Sequence, residues 1–295
     1  SMPSLDDVPT PDVPKDGATS YPVDPENVAE MARLIKQARV LTDHIGLCPS
    51  AIDLAQHYNI LDLGCGPGEW ALEVARRYHA HQVLGIDISE TMIEYAQFSA
   101  KTQEIPNARF QVMNVRQALD FPDASFDFIN ARLISGFMTT GAWPVLLREC
   151  FRLCKPGGVI CSSEFESVGI NTSPSLTRYN ELLIRALRQV GQCFTSEGGQ
   201  TGVTAVQARL LREAGFEPIQ QQAYSINSSK GMPAHMAGYD NCRTAMKLIQ
   251  PLLVHLGIEK QEELDMLYGR LLVEMLSDDF CMVTYFQTAW GVKPA

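Results

Sequence analysis

No apolar run in this 295-residue chain is long enough to cross a bilayer, and no signal peptide is visible, so no membrane span is expected. Basic residues are scarce: 24 Lys and Arg stand against 34 Asp and Glu, for a net charge of −10. They are also scattered. Binding phosphates takes a basic footprint, so no nucleic-acid partner is expected. The 8 cysteines form no C-x-x-C pair, and free thiols in a reducing cytoplasm are the expectation. Cys150 and Cys154 stand one helical turn apart with no further Cys or His nearby to complete a tetrahedron. They read as an apolar helix face, and no metal is expected. There is no internal repeat. Residues 1–24 are rich in Pro and Asp and lack periodicity, which reads as a mobile N-terminal arm. The remainder, 25–295, is long enough for one sizeable α/β domain, and a hydrophobic content of 45% supports a real core.

The most informative stretch is Ile60-Leu61-Asp62-Leu63-Gly64-Cys65-Gly66-Pro67-Gly68-Glu69-Trp70. Its first part is a short apolar strand, suited to the middle of a parallel sheet. Gly64, Gly66 and Gly68 then permit a sharp turn with positive φ and let a ligand approach bare backbone. A helix predicted over 69–78 follows, and its first N–H groups point at that ligand. About twenty-five residues after Asp62, a second apolar strand, 82–87, ends in Asp87, close to the spacing that serves a ribose.

A nicotinamide dinucleotide is the obvious rival. Its G-x-G-x-x-G fingerprint needs a sixth-position glycine where this chain has Glu69, and a carboxylate there repels a pyrophosphate. Glycines at 64, 66 and 68, with Pro67 between, suit a ligand without phosphates.

A third short strand lies within 108–115. A fourth, 125–132, exits at Asn130, Ala131 and Arg132, while Asp127 at its start reads as structural. Trp143, Leu146, Leu147, Cys150, Leu153 and Cys154 then mark one face of a helix. Lys155-Pro156-Gly157-Gly158 stops it, and another strand, 159–164, follows.

This order of motifs resembles the class I S-adenosylmethionine (SAM)-dependent methyltransferases, strongly over residues 55–165. The resemblance implies an α/β fold: a doubly wound, seven-stranded, mostly parallel sheet with helical cap insertions and an antiparallel last strand near 280–290. It implies S-adenosyl-L-methionine as cofactor and S-adenosyl-L-homocysteine (SAH) as product. It sets the methionine end of SAM at the helix N-terminus and the ribose hydroxyls on Asp87. Asp62, Cys65, Ile88, Met92, Val115, Asn130 and Ala131 would line the same site. Where the family usually has an Asp accepting from the adenine amino group, this chain has Asn114. Its amide oxygen still accepts, and Val115 would supply the neighbouring N–H. Asn114 as a plain turn residue is the alternative.

Residues 27–45 read as an amphipathic helix with Val28, Met31, Ile35, Ala38, Leu41 and Ile45 on one stripe. Tyr21 and the string Glu30-Met31-Ala32-Arg33-Leu34, continued by Gln37-Ala38, resemble the leading segment of a small-molecule methyltransferase subgroup. There the segment folds over the cofactor, which makes Tyr21, Arg33 and Gln37 candidates for closing over SAM. The reading of Arg33 and Gln37 as ordinary helix-surface residues stays open.

Segments 25–47, 166–202 and 231–277 are therefore read as covers. In the second, 176–190 looks helical and Gly198-Gly199 marks a hinge-like loop. In the third, two helices meet at Gly257, and Pro251 is expected to kink the first. Covers suit a small acceptor, because water must be excluded and the acceptor aligned. The expected activity is methyl transfer to N, O or C of a small molecule by in-line displacement, in a monomer or homodimer. A non-catalytic SAM-binding regulatory or partner-binding protein, and a quinone-type C-methyltransferase, are the alternatives. Acceptor-side candidates are Arg132, Glu164 and Glu166, near the exits of the central strands, and His235 in a cover. Tyr179, Tyr224 and Tyr239 are more often packing residues. His79 and His81 flank a predicted surface turn and are set aside.

Overall fold

The computed structural model describes residues 27–295; Tyr21 and the segment 1–24 lie outside them. β1 (Asn59–Leu63) is the middle of the sheet because both its faces are apolar: Ile60 packs on one side, Leu61 and Leu63 on the other. In parallel beside it lie β2 (Gln82–Asp87) and β4 (Phe126–Arg132). Beyond these, again parallel, come β3 (Ala108–Val112) and β5 (Cys154–Phe165). β8 (Met282–Val292) runs antiparallel to β5 and to β7 (Ile219–Asn227). These strands make the expected doubly wound sheet, in the order β3-β2-β1-β4-β5-β8 with β7 also pairing β8. One strand was not foreseen: β6 (Ile170–Asn171), two residues long, pairs with β8 beyond the end of β5.

Helices cover both faces. α2 (Glu69–Arg77) and α3 (Glu90–Thr102) bring Trp70, Val74, Ile93 and Ala96 onto Ile60, Val83 and Phe128. α4 (Ala142–Leu153) and α6 (Val203–Glu213) bring Leu146, Leu147, Leu210 and Leu211 onto Leu61, Ile129 and Ile160. Lys155-Pro156-Gly157-Gly158 does end α4, but it belongs to the start of β5.

The cap has a core of its own. α5 (Pro174–Gln189), α7 (His235–Leu248), α8 (Gln250–His255) and α9 (Gln261–Glu274) enclose Leu176, Tyr179, Met246, Leu253, Leu264 and Leu271. The 231–277 cover thus holds three helices, where the sequence reading expected two. Pro251 starts α8 rather than kinking a longer helix, because a missing N–H is harmless in a first turn.

α1 (Val28–Ile45) is capped by Asn27, whose side chain accepts from the N–H groups of Ala29 and Glu30. It packs along α7. Its predicted stripe is only partly right: Leu41 and Ile45 are buried, but Val28 is exposed and Glu30 is buried instead. His81 is also buried, with Nε2 2.9 Å from the Leu54 carbonyl oxygen, so it is not a surface residue. All 8 cysteines are free thiols. Among the described residues no helix is long and apolar enough to cross a membrane.

Candidate active site

The C-terminal ends of β1, β2 and β4 open into a cavity of about 750 Å³. Open parallel sheets present ligand sites at this edge. Here it follows from the turn after β1, where Gly64, Gly66 and Gly68 take φ of +61°, +53° and +86°. The three glycines do different work. A Cβ on Gly68 would lie 2.8 Å from the Phe110 ring and 2.9 Å from Ala96, so this glycine is required by packing. A Cβ on Gly64 would lie 2.9 Å from the Phe137 ring. A Cβ on Gly66 would reach only Leu34, at 3.9 Å, so the space before it belongs to the cavity. Gly64 and Gly66 both line the cavity, and of the three only Gly66 has open space at its Cβ position. The N-cap residue of α2 just beyond is Gly68, which offers no side chain to its first N–H groups, and a helix N-terminus of this kind suits a carboxylate.

Asp87 ends β2 and lines the cavity. Asp62 lies beside it, nearly fully buried, and accepts from Asn130 Nδ2 at 2.9 Å. Burial pushes the Asp62 carboxyl up to about 7, against a downward pull from that hydrogen bond. Asn130 Oδ1 is buried and has no partner among the described residues. Cys65, Ile88, Met92 and Val115 all line the cavity, Ile88 exposed and Met92 buried. Asn114 lines it too, but its Oδ1 accepts the N–H of Arg116 at 3.0 Å, as a turn residue does. Ala131 faces the other way, into the core with Leu63 and Ile129. Strand alternation sends Asn130 and Arg132 to one face and Ala131 to the other, and the sequence reading overlooked that alternation.

Arg33 and Gln37 come from α1 to the cavity wall. Arg33 is tied to Glu30 at 2.7 Å and to Asn241 Oδ1 of α7 at 3.2 Å, so it links two covers. Glu69 also lines the cavity, paired with Arg39 at 3.1 Å. A pyrophosphate on this turn would face that carboxylate, whereas SAM would not bring one. Gly66, the N-terminus of α2 and Asp87 thus form a set that fits SAM.

The four acceptor-side candidates are not the free groups the sequence suggested. Arg132 donates to Thr42 Oγ1 at 3.3 Å and to the carbonyls of Gly46 and Leu47 at 2.7 and 3.3 Å, fastening the end of α1. Glu164 is fully buried and does not line the cavity; its Oε1 accepts from the backbone N–H of Ile134 and Ser135. Glu166 lines the cavity, but its oxygens are taken by Thr201 Oγ1, the Gly202 N–H and both donors of Thr204. It serves as the N-terminal cap of α6. His235 is buried with Nε2 2.8 Å from the Met275 carbonyl oxygen and is also outside the cavity lining. Polar residues at strand exits have two uses, ligand contact and loop anchoring, and sequence alone does not separate them.

Away from the glycine turn the cavity is walled by apolar groups, Leu183, Leu187 and Met246 from the cap and Met282 and Phe286 from β8. Leu133 and Phe137, after β4, also line it. Nothing in the local sequence marked them, since a loop carries no periodicity.

The methyltransferase-domain family matches residues 60–158. "Methyltransferase str2" of Strobilurus tenacellus is 29% identical over 54% of this chain and 55% of its own length. A demethylmenaquinone methyltransferase of Lactococcus lactis is 36% identical over 56% of this chain and 68% of its own. The chain therefore spans about half to two thirds of these relatives. The crystal structure of the YcgJ protein of Bacillus subtilis superposes with a TM-score of 0.52 at 18% identity, covering 91% of this chain and 100% of that one, and shares the fold. The protein belongs to the class I SAM-dependent methyltransferases.

Proposed function

We propose that the protein transfers a methyl group from SAM to a small, largely apolar acceptor, leaving SAH. The observation that carries this reading is the continuity of the cavity, from Gly66 and Asp87 at the sheet edge to the apolar walls of the cap. In this reading residues 25–295 act as one methyltransferase domain, with core 55–165 and covers 25–47, 166–202 and 231–277. Asp87 takes the ribose, the N-terminus of α2 takes the methionine carboxylate, and Asp62 with Asn130 lies beside them. When bound, SAM supplies a methyl group on a sulfonium, already a strong electrophile.

What the chain's own residues supply is alignment and exclusion of water. Leu183, Leu187, Met246 and Phe286 shape an apolar wall. Of the acceptor-side candidates, Glu166, His235 and Arg132 are each held by other protein groups, and Glu164 does not line the cavity. The acceptor then needs a nucleophile that is ready without a strong base, such as a neutral amine or an acidic hydroxyl.

A second reading, methylation of a ring carbon in a quinone-type acceptor, is favoured by the Lactococcus lactis relative and by the same apolar walls. The acidic balance speaks against nucleic acid as acceptor. Eight free cysteines fit a reducing cytoplasm.

Calorimetry with SAM, SAH, NAD and NADP tests the cofactor, and transfer of label from methyl-labelled SAM to a panel of apolar amines, phenols and quinones tests the reaction. Binding of SAM and SAH alone, with label on one class, is expected. Ala237→Phe, which fills the cap side of the cavity, should keep SAH binding and lose transfer. Binding of NAD alone would overturn the reading.

A further inference from the structure

Glu164 is a buried acid that the reaction does not use. Its Oε1 accepts the N–H of Ile134 at 2.9 Å and of Ser135 at 3.2 Å, where the 3-10 turn Ser135–Phe137 begins. Just before them Leu133 has φ of +57°, a left-handed conformation that is unfavourable for leucine. Its own N–H donates to Ser163 O at 2.8 Å, so both hold-points of this strained segment come from the end of β5.

The same segment reaches the cofactor turn. A Cβ on Gly64 would lie 2.9 Å from Phe137 Cζ and 3.3 Å from Ile134 Cγ2. The first glycine of the turn is therefore backed by side chains of the segment that Glu164 holds.

We propose that Glu164 is a positioning residue: it fixes the turn after β4, and through Ile134 and Phe137 it fixes Gly64 and the cofactor-binding turn, without touching the ligand. The inference rests on the methyl-transfer reading for the identity of that ligand. A carboxamide keeps the oxygen that takes both N–H groups. A leucine takes the acceptor from both N–H groups, and leaves that of Ile134 buried and unpaired. Burial also pushes the Glu164 carboxyl up to about 8, so at neutral pH glutamine is its nearest mimic in charge as well as shape.

The test is SAH titration by calorimetry for wild type, Glu164→Gln, Glu164→Leu, Phe137→Ala and the Glu164→Leu/Phe137→Ala double variant. Each is measured well below its own melting temperature, so that a purely structural loss does not enter the affinity. Glu164→Gln should bind about as wild type does. Glu164→Leu and Phe137→Ala should each weaken SAH roughly tenfold, the scale of one lost hydrogen bond or packing contact. The double variant should be little weaker than either single one, because both act on one route.

Wild-type affinity in Glu164→Leu overturns the proposal, and so does full additivity in the double variant. Should Glu164→Leu fail to fold, Ile134→Ala is measured in its place, because Ile134 backs Gly64 and does not line the cavity: weakened binding supports the route and unchanged binding overturns it. Failure of the wild type to bind SAH removes the methyl-transfer reading first and the proposal with it. Loss confined to the variants leaves that reading intact.

Discussion

Asp87 holds Gly66 by its backbone: Oδ2 accepts the Gly66 N–H at 2.9 Å, while Oδ1 accepts that of Ser89 at the same distance. The carboxylate read as the ribose acceptor is thus also a brace between the glycine turn and the start of α3. Each oxygen has a second lone pair, so one side chain serves both purposes. Asp87→Ala removes both at once. We expect SAH binding to weaken by about 1.5–3 kcal/mol, the range for hydrogen bonds to a charged group. Calorimetry reads this directly, and an unchanged dissociation constant would remove Asp87 from the site.

The glycines of the turn should separate cleanly under mutation. Gly68→Ala drives a Cβ into Phe110 and Ala96 at under 3 Å and also strains a φ of +86°. It should lower the melting temperature markedly, by the equivalent of about 2 kcal/mol or more. Gly66→Val adds a Cβ that has only Leu34 within 4 Å, at 3.9 Å. It should carry only the strain of its positive φ, about 1–2 kcal/mol, and stay folded while losing SAH. A Gly66→Val protein that binds SAH normally would count against the whole pocket.

These contrasts show what was legible in the sequence. The turn and the strands were readable because a buried parallel sheet writes its strands as short apolar runs and its turns as glycines; their doubly wound arrangement and the antiparallel last strand were implied by the methyltransferase resemblance. Which glycine faces ligand and which faces Phe110 was not readable, since that depends on a side chain more than forty residues away. The uses of Glu164, Glu166 and His235 were hidden for the same reason. Their partners, Ile134, Thr204 and Met275, are distant in sequence and carry backbone groups that no composition reveals.

Two buried acids make stability depend on pH. Burial raises Asp62 from 3.8 to about 7 and Glu164 from 4.5 to about 8. The folded chain keeps these protons after the unfolded chain has released them. Stability is therefore highest below about pH 4 for these two groups and falls as pH rises through the interval up to 7 or 8, then levels off. Glu164→Gln removes one titration. Relative to wild type it should gain melting temperature steadily between pH 4.5 and 8 and gain no more above it. A difference that stays constant across melts from pH 4 to 9 would show that Glu164 titrates alike in both states.

Arg132 offers the sharpest separation of anchoring from chemistry. Nη2 donates to the carbonyls of Gly46 and Leu47, and Nη1 to Thr42, so the guanidinium closes the C-terminal end of α1. Trp70 Nε1 meets the same Leu47 carbonyl at 2.9 Å, which ties α2 to this point as well. Arg132→Met keeps most of the stem and removes the donors. We expect a loss of about 1–3 kcal/mol in denaturant unfolding, the penalty for leaving buried carbonyls short of a donor. Arg132→Lys should recover little of it, because a single ammonium does not span three acceptors held by a planar fork. SAH affinity should change far less than stability, since Gly66 and Asp87 are untouched. A methionine variant as stable as wild type but unable to transfer methyl would return Arg132 to the acceptor side of the reaction.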